Sequence, residues 1–145
     1  MLRNRIVNGQ KASDATYVAH AVMKRGVGVV KATGGKTAFV SAATDEGIFL
    51  VDRDNLPTGI ECAYSDRPDA KFDAIAADDC VVLRPYVMGE SFYTDQYVEA
   101  AAADGTALGV GADGKWCVYA GGKKYVSRGT ESVAGATMLV VEVLC

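Results

Sequence analysis

From Thr16 onward, short apolar runs alternate with Gly and Asp punctuation. Residues 16–24 (TYVAHAVMK) place Tyr17, Ala19, Ala21 and Met23 on one face of an extended chain, which predicts a strand. GVGVVKA follows at once, with Gly26 or Gly28 positioned for a bulge or sharp bend. Gly34-Gly35 turns the chain into KTAFVS, where Phe39 is the anchor. Asp45-Glu46-Gly47 turns it into IFLVDRD, whose continuous apolar run fits a strand buried on both faces.

Residues 55–79 are the least regular part of the chain. LPTG and DRPD are turn signals, and Phe72, Ile75 and Ala76 have the spacing of a short helix. Order returns with CVVLRPYVMG, where Pro85 marks an edge or bulged strand. SFYTDQYVEA comes next. ALGV and KWCVYA flank Gly111-Ala112-Asp113-Gly114, a hairpin signal. KKYVSR is a further strand, and ATMLVVEVLC, the most hydrophobic run, is the expected central one. About nine or ten short strands at this spacing predict an all-β protein, an antiparallel β-barrel or β-sandwich. Parallel strands need crossovers, and no long amphipathic helical pattern supplies them. Residues 1–15 carry no sustained period and are expected to form an extended N-terminal arm before a single domain over 16–145.

Composition and charge narrow the functional classes. Half of the 145 residues are hydrophobic, and sixteen Gly against three Pro indicate many tight turns. The net charge is −3. Arg3, Arg5 and Lys11 against Asp14 give the first fifteen residues a local +2, which leaves −5 on the remainder. Such an acidic body does not suit a nucleic-acid partner, whose phosphates are neutralised by Lys and Arg. No apolar run approaches the roughly 18 residues of a membrane span. Cys62, Cys80, Cys117 and Cys145 form no CxxC pair, and MLRNRIVNGQ has no apolar core of a signal peptide. These features predict free thiols in a reducing cytoplasm.

The chemistry-bearing residues assemble into no catalytic or metal-binding pattern. His20 is the sole histidine and has no sequence-local partner for acid–base work. GGKT at 34–37 resembles the end of a phosphate-binding loop, but position 30 is Val where that loop needs Gly, and AFVSAA reads as strand where it needs a helix. Asp52, Asp54 and Asn55 fail the calcium-loop template, since Leu56 and Pro57 occupy the next positions. Cys80 and Cys117 sit beside Val in strands and are expected to act as small core hydrophobes. Tyr17, Tyr86, Tyr97, Trp116 and Tyr119 suit core packing. The expectation is a protein without cofactor or metal that is not an enzyme.

Residues 81–122 carry a likeness. Within them Gly89-Glu90-Ser91-Phe92 and Thr94-Asp95-Gln96 precede a small-residue tract, an ADGK hairpin and a Trp strand. This order resembles the decoration, cement or head-stabilising proteins of tailed bacteriophages. The resemblance implies a β-barrel or β-sandwich on the capsid surface of a virion, assembled in the host cytoplasm. It implies that the protein binds the major capsid protein, stabilises contacts between its subunits, and forms a homo-oligomer. A non-catalytic β-rich binding module, or another virion component such as a tail or connector protein, is the alternative. The partner-binding candidates are Arg3, Arg5, Ile6 and Val7. Ile6-Val7 is a β-branched pair suited to strand addition at a neighbour's sheet edge, and Arg3 and Arg5 alternate on one side to meet acidic groups.

Overall fold

A computed structural model of the chain describes residues 2–6, 13–52 and 74–145. Thirteen strands follow one another: β1 (Leu2–Ile6), β2 (Asp14–Val18), β3 (Met23–Lys24), β4 (Gly28–Lys31), β5 (Thr37–Ala38), β6 (Phe49–Val51), β7 (Ala74–Ile75), β8 (Cys80–Arg84), β9 (Ser91–Thr94), β10 (Ala107–Val110), β11 (Trp116–Val118), β12 (Tyr125–Val133) and β13 (Ala136–Val143). All pair antiparallel, and only short 3-10 turns interrupt them among the described residues. The all-β expectation holds. The expected nine or ten strands become thirteen because several runs break. Residues 16–24 divide into β2 and β3, with His20 in the bend between them, and residues 91–100 end in a 3-10 turn at Glu99–Ala102.

The strands form sheets of six, five and two. The six-stranded sheet runs β1-β9-β13-β12-β10-β11, so the C-terminal apolar run is an interior strand, as its hydrophobicity required. Its hairpin with β12 turns on Ala134-Gly135, both at positive φ (52° and 83°), the mirror-image turn that matches strand twist. The five-stranded sheet runs β2-β8-β6-β4-β5. It curls into a half-barrel, and its end strands meet at one parallel bridge, Val18 to Lys36. β8 is interior and stops before Pro85; the proline ends the strand, where an edge or bulged strand was expected. β7 places Ile75 in a strand and not in a short helix.

Two hydrophobic clusters result. One gathers Phe92, Leu108, Trp116, Tyr125, Leu139 and Val141 under the six-stranded sheet. The other gathers Met23, Val29, Val51, Ile75, Val81 and Leu83 inside the half-barrel. β6 serves both: Leu50 belongs to the first and Val51 to the second, and both are fully buried. Alternate side chains of a strand point to opposite faces, so a run apolar at every position fits only between two cores. Gly28 lets the two halves touch, since a Cβ there would lie 2.5 Å from Val110 Cγ2.

Glu90, Phe92 and Thr94 serve this framework. Glu90 is buried, and its carboxylate accepts the Val87 N–H at 2.8 Å across the turn that joins the two sheets. Phe92 packs between Tyr86 and Trp116, with tilted rings at centroid distances of 4.5 Å and 5.5 Å. Thr94 donates its hydroxyl to the Gly26 carbonyl at 3.2 Å, a link between the sheets.

Candidate functional site

The strand edges decide where a partner segment can add. A strand's outer edge presents unpaired N–H and C=O groups, which proteins normally cover or blunt. In the half-barrel the two end strands close on each other. Thr37 Oγ1 donates to the Val18 carbonyl at 3.3 Å, and Lys36 Nζ meets Asp78 at 2.8 Å. At the β11 end of the six-stranded sheet, the chain beyond β9 returns to cover the edge. The Trp116 N–H donates to the Gln96 carbonyl and the Val98 N–H to the Trp116 carbonyl, each at 2.9 Å. The opposite end is β1, and no described strand or bridge lies beyond it.

The first residues are therefore placed differently from a free arm. β1 is extended but already pairs with β9, in the register Leu2 to Thr94, Arg3 to Tyr93, Asn4 to Phe92 and Ile6 to Ser91, with an irregularity between Asn4 and Ile6. Leu2 is buried in the core cluster with Phe92 and Leu139. Period-2 alternation sends Arg3 to the outer face beside Tyr93. Arg3 is exposed, and it makes no ion pair among the described residues. Arg5 is committed: its Nη2 lies 3.1 Å from Glu131 Oε1, while Tyr93 Oη donates to Glu131 Oε2 at 2.8 Å. Of the four candidate residues, Arg3, Arg5 and Ile6 thus fall on one strand; Val7 lies outside the described residues. Glu131, on β12, carried no signal in the sequence. Its role depends on β13 and β9 bringing residues 126 positions apart to one face.

Other polar clusters serve the frame. Asp52 is buried and bridges Arg25 (Nη2 at 2.5 Å) and Arg84 (Nε at 2.5 Å, poorly aligned for a hydrogen bond, so the contact is ionic). Nearby, burial first and the Asp52 charge second push Tyr86 up to about 12. Asp14 is held at about 2 by the Lys31 ammonium and by Thr16, and Lys31 also sits over the Tyr17 and Phe49 rings. Asp54 and Asn55, the rest of the acidic cluster in the sequence, lie outside the described residues. A shallow depression lined by Asp45, Glu46, Gly121, Lys123, Lys124 and Cys145 adjoins the C-terminal residue. Burial works to raise Asp45, but the amides of Lys123 and Lys124 outweigh it and hold the carboxyl below its ordinary value.

Cys117 and Cys145 are free thiols. Cys80 is exposed at the start of β8, against its expected place in the core, because that strand's first residue lies beyond the cluster. Burial, with Asp113 second, pushes the half-buried Cys117 thiol up. Among the described residues no group of three or more His, Cys, Asp and Glu side chains is arranged to hold a metal ion, and no helix is long and apolar enough to cross a membrane. No protein-family model matches this chain, and no curated protein does.

Proposed function

We propose that this chain is a virion structural protein, a two-core β-sandwich that binds the major capsid protein on an assembled shell and strengthens contacts between its subunits. The observation that carries the reading is the outer edge of β1, uncovered among the described residues, whereas the other ends of the two large sheets are covered. An open edge takes another protein's extended segment through backbone hydrogen bonds, with alternate side chains setting specificity. The resemblance of residues 81–122 to phage head-stabilising proteins supports the same reading. Grip on a protein shell needs a rigid body more than a pocket, and two packed cores provide one. The sandwich acts at the capsid surface and self-associates there.

The test mixes purified chain with empty shells of its cognate major capsid protein. Co-sedimentation at a fixed stoichiometry, with a raised melting temperature of the shell, is expected. A chain that stays in the supernatant at micromolar concentration, with shell melting unchanged, overturns the reading.

A further inference from the structure

We infer that the edge of β1, uncovered among the described residues, takes an extended acidic segment of a different protein, recognised by Arg3, and does not pair with β1 of a second copy. The inference rests on the proposed docking function of that edge and names the chemistry of the segment that docks. Its basis is the alternation of β1. Arg3 and Arg5 share the outer face, while Leu2 is fixed in the core on the other. Two β1 strands joined antiparallel must keep their outer faces together, or the buried face of one sheet would continue the exposed face of the other. Side chains directly opposite one another then lie on one face. Within Leu2–Ile6, every such register that pairs more than one residue sets an arginine against an arginine: Arg3 against Arg3, Arg3 against Arg5, or Arg5 against Arg5. Like charges placed opposite each other oppose pairing.

A segment with carboxylates at alternate positions meets the same edge without that conflict. Arg5 is already held by Glu131, and Tyr93 fixes the far oxygen of that carboxylate. Arg5 is therefore a positioning residue that keeps β1 flat on β9. Arg3, exposed and unpaired among the described residues, is the cation that an incoming Asp or Glu engages, and guanidinium binds carboxylate in a two-point fork.

The experiment uses the full chain and no shells, so its outcome is separate from the capsid assay. Two synthetic peptides of the same Thr/Val strand sequence carry Glu or Lys at alternate positions, and binding is followed by fluorescence anisotropy at low salt. The glutamate peptide is expected to bind at least tenfold tighter than the lysine peptide, and its binding is expected to weaken with salt. Arg3→Glu is expected to reverse the preference; the residue is exposed, so the variant keeps its fold, which circular dichroism checks. Equal affinity for the two peptides, or an unchanged preference in Arg3→Glu, overturns the inference. Sedimentation velocity showing a dimer that the glutamate peptide dissociates overturns it too, because a second copy would then own the edge. Shells that bind while the glutamate peptide does not would sink this inference and leave the capsid reading standing; the reverse result would do the opposite.

Discussion

Arg5 and Glu131 meet at 3.1 Å from opposite parts of the chain, Arg5 on β1 and Glu131 on β12, with β9 and β13 between them. Both side chains are more than a third exposed, so water screens the pair and its coupling is small, about 0.2–1 kcal/mol. A double-mutant cycle of Arg5→Ala and Glu131→Ala, read by chemical denaturation, should return a coupling in that range. A coupling near zero would mean that Leu2 and the backbone alone hold β1 on β9.

Leu2 should matter more than the ion pair. Truncating a buried leucine costs roughly 2–5 kcal/mol when the whole fold feels it. β1 is terminal and has one strand neighbour among the described residues, so Leu2→Ala is expected to release β1 before the cores open. Hydrogen exchange should show faster amides in β1 and at the β9 edge, with β12 and β13 unchanged. Equal acceleration throughout would show that β1 unfolds only with the rest.

Stability should fall with acid through His20. Thr37 Oγ1 donates to the Val18 carbonyl, so it accepts from the His20 N–H (3.3 Å) and from Nδ1 (3.2 Å), which places the ring proton on Nδ1. Burial holds the His20 pKa below 6.5, so the folded state favours the neutral ring. A depressed folded pKa gives stability that is complete above pH 6.5 and is lost as pH falls through the folded value. Denaturation midpoints between about pH 5 and 8 should slope downward with acid in the native chain and less so in His20→Gln. Parallel profiles would remove the histidine from the account.

The contact between the halves at Gly28 should tolerate no side chain. The added Cβ of Gly28→Ala would lie 2.5 Å from Val110 Cγ2 and 3.0 Å from Ile48 Cγ2. Overpacking of this kind costs about 1–3 kcal/mol. Val110→Ala removes the nearest methyls and should recover part of that loss in the double variant. Strict additivity would mean that strain in β4 itself, and not the Val110 contact, sets the cost.

Asp52 should be more sensitive than either arginine beside it. Its side chain is 4% exposed, whereas Arg25 and Arg84 are about a third exposed and reach water. Removing the carboxylate takes away both ion pairs at once and leaves two guanidiniums facing each other across its former place. Asp52→Ala should therefore lower the unfolding midpoint well beyond Arg25→Ala, which leaves Asp52 its contact with Arg84. Equal losses in the two variants would contradict this.

The sequence by itself determined the class of fold and many of its turns. Period-2 runs and Gly-Asp punctuation are local signals, and they located the β10–β11 hairpin, the interior C-terminal strand and the doubly buried β6. Arg3 and Arg5 were legible as an alternating pair for the same reason. Only the tertiary structure decided which strand edge is left uncovered among the described residues. That depends on Val18 meeting Lys36, on residues 96–98 returning to β11, and on β1 choosing β9. Each is a contact between distant parts of the chain, set by how two cores pack, and no short-range pattern encodes it. Glu131 shows the limit most directly: an acidic residue in a Ser/Thr strand reads as a solvated side chain, until sheet order carries it to Tyr93 and Arg5.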